Sequence, residues 1–315
     1  MIGNDLAQAK QLLEAGQLVA IPTETVYGLA GNALDEQAVL EIFRVKNRPA
    51  FDPLIVHTDS FERIADFVRE IPEKALILAQ HLMPGALTLL LPKSALIPDL
   101  VTSGLDRVAV RIPNHSLTRS LLSSLPFPLA APSANPFGYI SPTTAQHVEQ
   151  QLGNQIPYIL DGGPCEVGLE STIVGFVNDE PVIYRKGGVG IETIESLVGK
   201  VRVQAHSSSN PLAPGMLKSH YAPRTPLQLV ERLELTSTSH QSPVSRVGVL
   251  SFQQDYGAEY QEILSPSGDI SEAARYLFAA MRRLDQLGLD VIYAELVPDE
   301  GLGKAINDRL KRASV

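Results

Sequence analysis

Short apolar runs alternate with amphipathic stretches along the first two hundred residues. LVAIP (18–22), PLIVH (53–57), ALTLLLP (86–92), RVAVRIP (107–113), PLAAPS (128–133), PYILDGG (157–163), STIVGFV (171–177) and PVIYRK (181–186) have the length and composition of strands. Between them, DLAQAKQLLEAG (5–16), EQAVLEIFRVK (36–46), SFERIADFV (60–68), PEKALILAQHLM (72–83), SLTRSLLSSL (116–125) and TTAQHVEQQLG (143–153) place apolar residues at helical spacing. This alternation predicts an α/β fold. The last two strand-like runs are separated by so few residues that they predict an antiparallel hairpin, and so a mixed sheet.

The pattern breaks at HSSSNPLAPGMLKSHYAPRTP (206–226), which is rich in Ser and Pro and has no apolar period, as in a linker. Beyond it, LQLVE, RVGVLSF, a helix from about Ser271 to Leu287, VIYAELVP and a final helix from about Gly303 predict a second, smaller α/β domain. The expected division is therefore a first domain at 1–205, a linker at 206–226 and a second domain at 227–315.

Composition narrows the function. Of 315 residues, 44% are hydrophobic and 19% charged, an ordinary globular mixture, and the net charge of −9 makes a general binder of polyanions a poor reading. Any phosphate contact must then be local. The lone Cys165 rules out an internal disulfide and a multi-cysteine zinc site, while a catalytic thiol stays open. Apolar runs such as ALTLLL fall well short of the roughly 20 residues of a spanning helix. The start, MIGNDLAQAKQLLEAG, lacks the basic and apolar regions of a signal peptide, so a cytoplasmic location with no membrane contact is expected.

GxxxxGK[ST], strand-linked GxGxxG and HExxH are all missing, which weighs against a phosphate-loop ATPase, a standard dinucleotide binder and a zincin. Glycines in RKGGVGIETIE could present amides to an anion, but a strand exit into a helix cap is the simpler reading. IFRVKNRPAFDPLIVH (42–57) is more pointed. Pro49 and Pro53 stiffen a loop that carries Lys46 and Arg48, a point charge beside a planar fork, both suited to phosphate oxygens. Polar clusters also follow or precede buried-looking strands, where α/β folds usually bind ligands: Thr23, Glu24, Thr25 and Tyr27; Ser133, Asn135 and Ser141; Glu170, Ser171 and Thr172. Arg107 and Arg111, four apart in a strand, share a face and repel, a cost that an anion or Asp106 would relieve. Arg185 and Lys186 add charge on a neighbouring strand-like run.

PTETVYGLAGNA, IFRVKNRPAFDPLIVH, GALTLLL, RVAVRIP, APSANPFGYISPT, DGG then ESTIV, and PVIYRKG occur here in the order found in the YrdC-type family of L-threonylcarbamoyladenylate synthases, and the whole chain resembles that family. APGMLKSHYAP resembles the linker of its longer members, which carry an extra C-terminal domain. The resemblance implies a YrdC-like twisted mixed sheet with flanking helices, plus a smaller Rossmann-like domain. It implies an enzyme that makes threonylcarbamoyl-AMP and pyrophosphate from L-threonine, bicarbonate and ATP, for a downstream threonylcarbamoyl-transferase complex that modifies tRNA beside the anticodon. By motif, Thr25, His57, Arg111, Ser171 and the Ala131 backbone would hold threonine. Lys46, Arg48, Asp52, Arg107, Ser133, Asn135, Ser141 and Arg185 would surround ATP. Tyr221 would reach back over the nucleotide, making the linker a lid. Lys46, Arg48 and His57 would be the catalytic groups, with His57 assisting loss of the amine proton. Mg²⁺ would be held mainly by ATP phosphates, with Asp52 as a further candidate ligand. Two positions depart from the family pattern: Asp52 stands where Asn is frequent, a repulsive choice near triphosphate unless a metal ion or Lys46 compensates, and Arg107 stands where a smaller polar residue is usual.

Two rival readings remain at this stage. One is an RNA-binding module without catalysis, which the acidic charge and sparse stacking aromatics disfavour, leaving at most a weak RNA contact. The other is a carbamoyl-transfer maturation factor, whose zinc-finger segments a single cysteine cannot build.

Overall fold

The structure is a computed structural model that describes residues 1–204, 211–217, 220–230 and 246–314. Residues 206–210, 218 and 219 of the expected linker lie outside the described residues. The chain divides into one unit of Met1–Phe137 with Ser141–Lys218, and a second of Gly138–Ile140 with Ser219–Val315.

Strands are numbered along the chain: β1 (Ile2–Gly3), β2 (Val19–Ile21), β3 (Gly28–Asn32), β4 (Ile55–His57), β5 (Leu87–Pro92), β6 (Arg107–Arg111), β7 (Leu129–Ala130), β8 (Tyr158–Leu160), β9 (Thr172–Val177), β10 (Glu180–Arg185), β11 (Arg202–Val203), β12 (Leu227–Val230), β13 (Val247–Ser251), β14 (Tyr260–Ile263) and β15 (Val291–Glu295). Among the described residues the first unit holds an eleven-stranded sheet in the order β1-β8-β2-β3-β7-β4-β6-β5-β9-β10-β11. It is mixed, as expected: β4 and β6 are parallel, while β5 and β6, like β9 and β10, are antiparallel. The β9–β10 hairpin turns through Asn178 and Asp179 with φ of 52° and 62°, the left-handed conformation that Asn and Asp tolerate and that tight hairpins need.

Helix Glu36–Lys46 shows how local rules set the geometry. Asp35 caps it by accepting from the Gln37 amide, Ala38, Val39, Ile42 and Phe43 face the core, and Asn47 ends it in the left-handed region at φ 50°. Its last residue, Lys46, is thereby delivered to the core side of the helix. The sheet's interior is an apolar cluster of Leu29, Val39, Ile42, Leu54, Val56, Leu89 and Val110 among others.

Among the described residues the second unit has a four-stranded parallel sheet in the order β12-β15-β13-β14, with helices Ile270–Asp285 and Gly303–Ala313. It is thus a small α/β domain of the expected kind. None of the described helices is long and apolar enough to cross a membrane.

Candidate active site

Two knots of buried charge lie in the first unit. In the first, the Lys46 side chain is only 1% exposed and its ammonium donates to the Ser133 and Asn135 carbonyls, each at 2.5 Å. An ammonium has three N–H groups, so one is left over for a ligand. Arg48 donates from Nε to the Asp52 carbonyl (3.0 Å) and from Nη2 to the Pro53 carbonyl (2.8 Å), and pairs with the Asp52 carboxylate at 2.9 Å. The guanidinium also lies 5.9 Å from the centre of the Phe137 ring. The proline-braced loop therefore folds onto its own arginine, and Arg48 is the close ion-pair partner of the fully buried Asp52 among the described residues.

Burial, reinforced by the Arg48 charge and opposed by Asp52, holds the Lys46 pKa well below its usual 10.5. A bound polyanion favours the charged form and raises that pKa again. Binding of a polyanion beside Lys46 should therefore take up a proton at pH values between the depressed pKa and the usual one. Calorimetry in buffers of different ionisation enthalpy reads this directly, and a Lys46→Met variant should lose the uptake.

The second knot gathers residues from neighbouring strands. His57 and Arg111 are register partners on β4 and β6. Arg111 donates from Nε to the Gly85 carbonyl (3.2 Å) and from Nη1 to the Thr25 hydroxyl (2.9 Å), and its Nη2 lies 2.7 Å from a Glu24 carboxylate oxygen. Thr25 in turn shares a 2.7 Å hydrogen bond with Thr23. At the other side, Arg185 donates from Nε to the Ser171 carbonyl and from Nη2 to its hydroxyl, both at 3.0 Å. Thr88 of β5 completes this corner with a hydroxyl contact of 2.7 Å to Ser171. Gly187 passes so close that an added Cβ would lie 2.3 Å from the Glu170 carbonyl oxygen. That glycine is needed for close packing against 170–171, which supports the bland reading of RKGGVG.

The charges of Arg111 and Arg185 both reach His57, which is 3% exposed. Burial first, and Arg111 next, pull its pKa down to about 3. So weakly basic a ring is a poor proton acceptor, which weighs against the base role that the sequence suggests. Its Nδ1 lies 3.2 Å from the Ile55 carbonyl, and donation there leaves Nε2 as an acceptor towards a ligand. The unfolded chain, with a His pKa near 6.5, binds the extra proton that the folded form refuses, so stability is full above about pH 6.5 and falls as pH drops towards 3. Between pH 7 and 4 the expected loss is about 3 kcal/mol. His57→Gln should flatten that part of the denaturation-midpoint curve, and turnover should show no His57 inflection between pH 5 and 8.

The other expected residues fall as follows. Ser133 bridges to Gly28 across antiparallel backbone and gives its carbonyl to Lys46. The Ala131 amide donates to the Ile55 carbonyl at 3.0 Å, which ties it beside β4. Buried Ser141 donates to Glu170 at 2.6 Å. Arg107 is not in either knot; it lines a cavity of about 370 Å³ with Leu90, Tyr184, Gln204 and Leu212. Asp106 does not relieve Arg107 and Arg111, because it pairs with Arg69 at 2.7 Å. Burial and the Glu24 charge push the Cys165 thiol far up, so it is not a ready nucleophile. Tyr221 belongs to the second unit, where its ring stacks on Phe278 and lies under the guanidinium groups of Arg309 and Arg312. Its expected nucleotide contact rests on the resemblance alone. Thr88 was missed from sequence, although one hydroxyl inside the apolar run ALTLLL is the kind of signal that marks it.

Residues 11–187 match the family model for the Sua5, YciO and YrdC proteins, described as "Telomere recombination", and residues 189–315 match that of the threonylcarbamoyl-AMP synthase C-terminal domain. The threonylcarbamoyl-AMP synthase of Pyrococcus abyssi is 42% identical over 97% of this chain and 93% of its own length. That of Bacillus subtilis is 40% identical over 98% and 92%. The crystal structure of P. abyssi Sua5 complexed with L-threonine superposes with a TM-score of 0.91 at 40% identity, covering 100% of this chain and 97% of that one. With both domains matched in full-length relatives, the chain belongs to the long, two-domain threonylcarbamoyl-AMP synthases of the Sua5/YrdC family, which are nucleotidyltransferases.

Proposed function

We propose that this chain condenses L-threonine, bicarbonate and ATP into threonylcarbamoyl-AMP and pyrophosphate, as the first step of threonylcarbamoyladenosine formation in tRNA in the cytoplasm. The observation that carries this reading is the second knot. A buried arginine fork, two threonine hydroxyls, a neutral histidine acceptor and an arginine-held serine suit a small hydroxy amino acid, in a chain 40% identical to a structure solved with L-threonine. Arg111 takes the carboxylate, while Thr25, the His57 acceptor, Ser171 and the Ala131 backbone orient the rest.

The first knot takes the nucleotide. Lys46 and Arg48 neutralise charge that grows as pyrophosphate leaves, with Ser133 and Asn135 beside Lys46, and with Ser141, Arg185 of the second knot and the outlying Arg107 as further expected contacts. The threonine carbamate itself attacks the α-phosphorus, so the protein's task is to bring two anions together and need not include a nucleophile. No group of three or more metal-ligating His, Cys, Asp or Glu occurs among the described residues. A magnesium ion carried by the phosphates fits that set, with the Asp52 carboxylate, which accepts no well-aligned hydrogen bond from a described residue, as its one protein candidate. It would supply charge neutralisation on the phosphates.

Within the linker, Ala213 and Met216 are fully buried against Ile55, Ala109 and Tyr184, and the Pro214 carbonyl lies 3.5 Å from Arg185 Nη1. These contacts support a lid role for the linker, with Tyr221 as its expected nucleotide contact. A downstream threonylcarbamoyl-transferase complex would consume the adenylate, and any RNA contact by this chain itself would be weak.

Pyrophosphate release tests the reading. It should require threonine, bicarbonate and ATP together. Release that persists without threonine would defeat it, and RNA binding without turnover would favour a binding module.

A further inference from the structure

Glu24 carries more than the threonine and nucleotide assignments use. Its side chain is 5% exposed, and neither carboxylate oxygen accepts an aligned hydrogen bond from a described residue. Among the described residues its one ion-pair partner is Arg111 Nη2 at 2.7 Å, and that nitrogen makes no aligned hydrogen bond with them either. A buried carboxylate with empty acceptor sites is costly, and an apolar residue of similar volume would often be more stable. The main chain at this point is well anchored, since the Val167 amide donates to the Glu24 carbonyl at 2.7 Å. Only the charged end of the residue is left without its full set of partners.

Resting on the threonine reading above, we propose that Glu24 is the residue that binds the amino nitrogen of the substrate. Arg111 and Glu24 form a neutral, adjacent pair of opposite charges, and an α-amino acid zwitterion is a neutral, adjacent pair of the reverse order. Binding exchanges one pairing for the other: the substrate carboxylate takes the unaligned Nη2 of Arg111, and the substrate nitrogen takes an oxygen of Glu24. No net charge is added to the buried site. His57, neutral and placed as an acceptor, cannot supply the countercharge that an ammonium needs. A carboxylate oxygen accepts an N–H most strongly from an ammonium and less strongly from a free amine or a carbamate nitrogen, so the contact weakens but can persist through carboxylation and keep the nitrogen aimed.

The test compares threonine with 3-hydroxybutanoate, which keeps the carboxylate and hydroxyl but lacks the nitrogen. In the unmutated full-length protein, threonine should bind at least about tenfold more tightly than 3-hydroxybutanoate by calorimetry. Glu24→Gln should weaken threonine about 10- to 100-fold and 3-hydroxybutanoate less than about threefold. Should that variant not fold, Glu24→Asp is read the same way, with a larger loss for threonine than for 3-hydroxybutanoate expected. Equal losses for both ligands, or threonine binding unchanged, would overturn the assignment while leaving the proposed function intact. An unmutated protein that did not bind threonine would overturn both.

Discussion

Arg48→Ala should destabilise the protein by about 3–5 kcal/mol, far more than loss of an exposed ion pair. The reason is its partner. Asp52 is fully buried and lies 2.9 Å from the guanidinium, and removing Arg48 leaves a carboxylate away from water with no countercharge within ion-pair distance among the described residues. Two main-chain carbonyls, of Asp52 and Pro53, lose their donors at the same time. Denaturant unfolding measures the loss. The double variant Arg48→Ala with Asp52→Asn should recover a large part of it, since the orphaned charge is then gone, yet it should not recover turnover. An Arg48→Ala protein as stable as the parent would mean that the loop is not held by this pair.

Lys46→Met should separate stability from activity in the opposite way. Methionine keeps most of the buried stem, and removal of an ammonium that burial disfavours offsets part of the about 1–3 kcal/mol expected from depriving the Ser133 and Asn135 carbonyls of a donor. Turnover is another matter. On the proposed reading the third N–H of Lys46 is the one that meets phosphate, and losing a charge-stabilising donor of this kind costs about 10²–10³ in rate. The kcat/KM for ATP, read as pyrophosphate release, should fall by that factor while the melting temperature moves by only a few degrees. A variant with unimpaired ATP use would remove Lys46 from the reaction.

These outcomes hinge on features that differ in how openly the sequence displays them. Helix Glu36–Lys46 was legible to the residue because capping, apolar period and a left-handed Asn47 all act locally. The β9–β10 hairpin was legible for the same reason. Strand β3, by contrast, reads GLAGN, with no β-branched residue, and only its place between β2 and β7 makes it a strand. Strand β14 reads YQEI, too polar to stand out. In the site, the cations and hydroxyls were visible as residue types at strand ends. Their pairings were not. That Asp52 serves Arg48, that Glu24 faces Arg111 and that Asp106 is drawn away by Arg69 all depend on how distant segments meet. The low proton affinity of His57 was not legible in the sequence because burial sets it, and a histidine at the end of a strand does not announce its own burial.

The account stands on a division of labour between two knots, one holding an amino acid through its carboxylate and nitrogen side, the other holding a triphosphate. The measurement that tests it most directly is the mass of the adenylate formed from L-threonine, ATP and ¹³C-bicarbonate. The account predicts an adenylate that carries the whole threonine and the labelled carbon, with its nitrogen carboxylated before attack on the α-phosphorus. An adenylate free of label, formed through threonine's own carboxylate, would contradict it.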